Sequence, residues 1–480
     1  MSSIRICGLK VKIQKIHLDS IECKLYSENK SNRGQTPLKR GLTPVRQDFT
    51  QRSDPRIMQS SISKELSQFL ENSPSCFHAI DNIKNILLGE QFIQLQENEK
   101  WQLRRGCRYF VTRNDSSVIA FTVPGQDISG MRIIASHSDS PAFKIKENPE
   151  LETDGHYLRL NVEGYGGMLC APWLDRPLSV AGRVIVKDRL GRLCSRLINI
   201  DRDLLLIPSL AIHMNREANS GYKYNIQKDM LPLYGSIASK GTFMKMLAEA
   251  ADAEETAILG HDLFLYNRQK ASIWGAAEEF ISCGRLDDLQ CAFASLKGFL
   301  AGGKATHLAV YCVLDSEEVG STTKQGAAST FLYDTLTRIH DSLGYTREDY
   351  LIHLADSFMI SADNAHAVHP NHTDKSDPSN RPYLNGGIVL KFNANQKYCT
   401  DGISAAMFRD LCNTAGVPVQ TFVNRSDMAG GSTLGNISNT QVALNTVDIG
   451  LPQLAMHSPY ETAGVKDTDY LIRAAMTFYC

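Results

Sequence analysis

Apolar positions along this chain follow two rhythms. Between 63 and 88 they recur every three or four residues. That spacing predicts helices over 63–70 and 76–88, with Ser73-Pro74-Ser75 as the cap between them. Short β-branched and aromatic runs follow at 106–112, 117–123 and 132–135, and these predict strands. From 143 to 262 the pattern changes to short β segments at 157–162, 181–186 and 196–199. They are set between turn signals such as Gly164-Tyr-Gly-Gly167 and Asp188-Arg-Leu-Gly191. From 263 onward, helical spacing at 286–300, 326–343 and 404–415 alternates with apolar runs at 308–314, 358–361, 388–392 and 417–423. Runs apolar on both faces, alternating with helices, predict an α/β fold with a mostly parallel central sheet flanked by helices. The β-rich stretch 143–262 reads as an insertion, so the main body is expected from 58–142 and 263–480.

Five of these segments carry a metal-type ligand. The run 131–136 is followed by His137-Ser-Asp139, the run 308–314 by Asp315-Ser-Glu317-Glu318, and the run 358–361 by Ala362-Asp363. The run 448–456 is followed by His457, and Arg285-Leu-Asp287-Asp288 opens a helix. Buried charges are costly unless paired or metal-bound, and parallel sheets bind ligands beyond the carboxyl ends of their strands. Together these residues suit a two-metal site with ions about 3.5–4 Å apart. Asp287 would bridge. His137 and Asp363 would complete one ion, and Glu318 and His457 the other. Asp139 would accept a hydrogen bond from the far ring nitrogen of His137. Glu317 would take the proton of the attacking water and pass it to the leaving amine. Taken singly, each motif has an ordinary reading: a solvated acidic pair, a helix cap or a core histidine. Only the set points to chemistry.

Composition narrows the class. With 480 residues, 42% hydrophobic, 21% charged and a net charge of −1, the chain is an ordinary globular protein with two expected domains. Neither nucleic acid nor an anionic membrane is expected as a partner. No apolar stretch is long enough to span a bilayer, and the N-terminus lacks the apolar core of a secretion signal. Twelve cysteines are scattered without a Cys-x-x-Cys pair, which suits reduced thiols and a cytoplasmic location. Residues 1–57 carry twelve Lys or Arg against five Asp or Glu and read as a basic, disordered extension. A tail, or sequence ahead of a true start at Met58, is favoured there over a targeting or propeptide segment.

From about Ser61 to its end the chain resembles the M18 aminopeptidases, dinuclear zinc exopeptidases of the aspartyl aminopeptidase type. The resemblance rests on Ser73-Pro-Ser-Cys-Phe-His78, His137-Ser-Asp-Ser-Pro141, Tyr165-Gly-Gly, Trp173-Leu-Asp-Arg176 and Ala181-Gly-Arg183. It continues through Ile207-Pro-Ser-Leu-Ala-Ile-His213, Arg285-Leu-Asp-Asp288, Asp315-Ser-Glu-Glu-Val-Gly-Ser321, Ser361-Ala-Asp-Asn-Ala-His366, His369-Pro-Asn371 and Met456-His-Ser458. It implies the same ligand set, with two Zn(2+) per subunit (Co or Mn as substitutes), Glu317 as base and Asp139 supporting His137. It adds His366 and Lys391 as substrate-binding residues, and His213 as a residue reaching a neighbouring subunit's site. The insertion would then be a dimerisation domain, and the homo-oligomer a dodecamer built from dimers. The implied activity is release of N-terminal Asp or Glu from peptide substrates. Open alternatives are a preference for neutral residues, another two-metal hydrolase such as a carboxypeptidase or deacylase, and a non-catalytic cargo or scaffold assembly. The stretch Asp427-Met-Ala-Gly-Gly-Ser-Thr433 lacks the family's usual Pro and Cys, and Asp288 stands where Asn is usual.

Overall fold

In the computed structural model, the described residues are 55–302 and 306–480. The expected extension lies outside them except for its last residues, which open helix Pro55–Glu71. A nine-stranded sheet forms the centre. Its order is Ile93–Leu95, Arg108–Arg113, Ser117–Thr122, Leu308–Leu314, Met131–His137, Phe358–Ala362, Asn445–Gly450, Ile388–Phe392 and Val419–Val423. The four strands from Leu308–Leu314 to Asn445–Gly450 run parallel to one another, and antiparallel pairings lie outside them.

The side-chain period of two sorts each central strand between two cores. Ile134, Tyr311, Val313 and Ile360 pack with Leu289, Phe293, Leu471 and Phe478 on one face. Ile133, Ala135, Val310, Cys312 and Met359 pack with Phe331, Leu336 and Ile339 on the other. Every residue of Leu308–Leu314 is buried, which explains its unbroken apolar run.

Helices Leu286–Ala301 and Val465–Tyr479 cross at Gly298, where a Cβ would lie 2.4 Å from Ala475 Cβ and 3.0 Å from the Ile472 carbonyl. Gly298→Ala is therefore expected to destabilise the protein by about 1–3 kcal/mol, as overpacked cores do. The measurement is the denaturation midpoint at unchanged m-value.

A separate six-stranded antiparallel sheet is drawn from Ala142–Thr153, Tyr157–Tyr165, Leu178–Lys187, Leu193–Asn199, Leu233–Ser236 and Ile258–Asn267. It has its own core around Phe143, Trp173, Val184, Phe243 and Leu263. Its first and last strands in chain order reach Ala142 and Asn267, slightly beyond the 143–262 read from the sequence. A third sheet was not foreseen. It joins Ser272–Trp274, Phe280–Cys283, Glu461–Gly464, Pro452–Leu454 and Ala365–His366.

Two sequence expectations need correction. The helix expected over 326–343 spans only Phe331–Ser342. Residues 326–330 form hydrogen-bonded turns instead, with the N–H of Ala328 donated to Ser321 O and that of Ser329 to Gly326 O. The apolar run 448–456 is not one strand: Asn445–Gly450 belongs to the central sheet and Pro452–Leu454 to the third.

Candidate metal centre

Strand register assembles the site. Leu314 pairs with His137, and Ser361 pairs with Ala135, so Asp363 comes level with His137 just past the strand ends. Glu317 and Glu318 lie in the short turn that follows Leu308–Leu314. Asp287 comes from the start of helix Leu286–Ala301, which begins in non-helical backbone. His457 follows Pro452–Leu454 on a turn with φ +66°.

The five expected ligands converge. His137 Nε2 is 3.3 Å from Asp287 Oδ1 and 3.7 Å from Asp363 Oδ1. His457 Nε2 is 3.7 Å from Asp287 Oδ2 and 3.4 Å from Glu318 Oε2. The two carboxylate oxygens of Asp287 thus face different histidines, as a bridging ligand requires. Asp287, Glu318 and His457 each offer a ligand atom, all within 4.8 Å of one another. His137, Asp363 and Asp288 form a second such group. Asp288 was not assigned a role from the sequence. Fully buried, it accepts the His137 main-chain N–H at 3.1 Å.

The chemistry of the donor set fits divalent cations. Asp287 Oδ1, Asp288 Oδ1 and Glu318 Oε1 are buried and receive no hydrogen bond. Orphaned buried carboxylate oxygens are costly, and cations are the natural complement. Two imidazoles with three or four carboxylates suit zinc. Without cations the acids crowd one another. Burial pushes the Glu317 carboxyl up to about 8; His137 opposes the rise, and Asp363, Asp139 and Asp287 add to it. Burial, and after it Asp287, also raises Glu318 well above the usual carboxylate range.

Asp139 does more than expected, by a different route. The nearest partner of His137 Nδ1 is the Asp139 carbonyl, at 3.0 Å; the carboxylate is 3.5 Å away. That carboxylate instead accepts the main-chain N–H groups of Glu317 and Glu318, each at 3.1 Å, and the Tyr165 hydroxyl at 2.7 Å. Asp139 therefore fixes the backbone that carries the expected base, Glu317, and the candidate metal ligand Glu318.

A cavity of about 340 Å³ opens over the cluster. Its wall includes His366, Lys391, Tyr398, Phe422 and Thr433. Lys391 is buried, with Nζ 3.4 Å from Asp363 Oδ2 and 5.5 Å from the Tyr398 ring centroid. Burial disfavours its charge, but Asp363 more than compensates and raises its pKa. His366 packs edge-on to Phe422. His213 is not brought to this cavity; it sits on an exposed turn of the insertion. Tyr398 and Tyr165 were missed by sequence reasoning. Tyr165 stands in a motif quoted for its glycines, whereas Tyr398 has no local signal.

The chain as a whole is similar to known proteins. A family model described as "Aminopeptidase I zinc metalloprotease (M18)" matches residues 69–479. A "Probable M18 family aminopeptidase 2" of Clostridium acetobutylicum is 47% identical over 424 residues, covering 87% of this chain and 98% of that protein. Its namesake in Pseudomonas aeruginosa strain UCBPP-PA14 is 41% identical, covering 88% and 99%. Among solved structures, the cryo-EM structure of the Ape4 and Nbr1 complex superposes with a TM-score of 0.85 at 35% identity, covering 88% of this chain and 86% of that one. The S. cerevisiae mApe1 dodecamer superposes with a TM-score of 0.77 at 26% identity, covering 87% and 96%.

Proposed function

This chain belongs to the M18 family of zinc metalloproteases and is an aminopeptidase, and from that premise we propose that it removes N-terminal Asp or Glu from peptides with two zinc ions per subunit. The observation that carries the two-ion reading is Asp287, whose separate oxygens face His137 and His457. His137 and Asp363 would hold one ion with it, and Glu318 and His457 the other. Zinc bound there supplies Lewis-acid polarisation of the scissile carbonyl and acidifies water.

The chain's own residues do the rest. Glu317 lies on the cavity wall beside His137 and Glu318. It takes a proton from the attacking water and returns it to the leaving amine nitrogen. Aminopeptidase rather than carboxypeptidase action rests on the family match. Lys391 is the cation of the wall and supports the acidic preference.

A panel of aspartyl, glutamyl and leucyl substrates tests the specificity. Lys391→Met should cut kcat/KM on the aspartyl substrate by about tenfold or more, with a smaller effect on the leucyl one, as for loss of a hydrogen-bonded charge. Faster wild-type turnover of the leucyl substrate would reject the acidic preference.

We assign the insertion to subunit contact, in a dimer-based dodecamer. Leu190, Leu193, Met214 and Leu259 expose over half of their surface there, and His213 lies between the exposed Ile212 and Met214. Apolar surface of this kind marks association sites. His213 would then complete a neighbouring subunit's cavity. Among the described residues no helix is long and apolar enough to cross a membrane. The cytoplasm remains the proposed location, on cysteines scattered along the sequence without a Cys-x-x-Cys pair.

A further inference from the structure

Glu461 is a buried carboxylate whose partners are main-chain N–H groups of the metal centre, those of Asp287 and its neighbour Leu286 on one segment and of His457 on the other. It is 2% exposed. Its Oε2 accepts the N–H of Asp287 at 3.1 Å, and its Oε1 accepts the N–H of His457 at 2.8 Å. No ion pair to Glu461 forms among the described residues. The third sheet brings these segments together: Glu461 pairs with Cys283, just upstream of the Asp287 turn. Gly284 then passes so close to Pro459 that a Cβ would stand 2.7 Å from its carbonyl oxygen. The chain segments 284–288 and 455–461 are thus wedged together, with one carboxylate between them.

We propose that Glu461 is a positioning residue that sets the distance between Asp287 and His457, and so governs retention of the ion held by Asp287, Glu318 and His457. This rests on the two-zinc reading above. A carboxylate suits the task because both of its oxygens accept. An amide of the same shape turns one arm into a donor facing an N–H, so one of the two segments is released. His137 has its own supports, the Asp139 carbonyl and the Asp288 carboxylate; of the ligands on that side only the shared Asp287 meets Glu461, whereas on the other side both Asp287 and His457 do. The two ions should therefore respond differently. Residues that orient metal ligands typically change metal affinity by about 10–100-fold.

The experiment is zinc titration against a competing chelator on full-length wild type, Glu461→Gln and Glu461→Asp. Bound zinc is measured by elemental analysis, with melting temperature as the control for folding. The expected result is one wild-type-like site and a second site weakened about 10–100-fold in Glu461→Gln. Glu461→Asp should be weakened less, because it keeps the charge but reaches fully to only one segment. In both variants excess zinc should restore hydrolysis. Two wild-type affinities in a folded Glu461→Gln would overturn the proposal and leave the two-zinc reading intact. Failure of wild type to bind a second zinc would instead remove that reading. Equal weakening of both sites, or loss of fold in both variants, would also overturn the proposal, because Glu461 would then support the core rather than one ion.

Discussion

Glu317→Gln is expected to lower kcat by about 10²–10⁴-fold, the usual worth of a general base, while KM and zinc content stay near wild type. The substitution keeps shape and removes only the ability to take a proton. It leaves intact the structural role of residue 317, since the contact to Asp139 is made by the main-chain N–H. The proposed bridge and the four terminal ligands are untouched. Stability should not fall, because one acid leaves a cluster in which burial and neighbouring carboxylates already disfavour ionisation. A single-turnover assay with parallel elemental analysis separates the possibilities. Activity above a tenth of wild type would place the base elsewhere. Loss of zinc in step with activity would make Glu317 a ligand rather than a base.

The candidate ligands stood out in the sequence because parallel strands make a pattern that survives in one dimension. Leu308–Leu314 is buried on both faces, so it reads as an unbroken apolar run, and the polar residues beyond its end stand out. The same holds for His137 and Asp363. Convergence onto one point could be inferred because few other arrangements satisfy so many acids. What supports the ligands was not legible. Asp139 and Glu461 act by accepting main-chain N–H groups, and any residue supplies those, so sequence carries no trace of the contact. The third sheet escaped for a related reason: strands such as Ser272–Trp274, Pro452–Leu454 and Ala365–His366 are too short to show a period. Ala142–Thr153 escaped because its alternation is broken by a register shift between Ile145 and Glu150 and by a left-handed Asn148.

Removing divalent ions with a chelator is expected to abolish hydrolysis and to lower the melting temperature, with the larger drop at pH 8 than at pH 5.5. The sign follows from the acids. In the ion-free protein Glu317 titrates near 8, against 4.5 ordinarily, because burial and the surrounding carboxylates favour its neutral form. Burial also raises Glu318 and Asp288. The folded chain therefore holds protons that the unfolded chain has already released, and its stability falls as pH rises from about 4.5 to 8. His137 adds in the same direction. Although burial opposes its charge, contacts to Asp139, Asp287 and Asp363 raise its pKa, so its contribution fades only above the ordinary histidine range. Asp363 is depressed, chiefly by Lys391 working against burial, and matters only in strong acid. Bound cations supply the missing positive charge and keep the acids ionised, so the loaded protein should show a flatter profile across the same window. Zinc at a hundred times its dissociation constant should restore about 2.7 kcal/mol for each site filled. Equal melting temperatures for stripped and loaded protein at both pH values would show that the carboxylates hold no cations. Undiminished hydrolysis in fully stripped protein would remove zinc from the reaction.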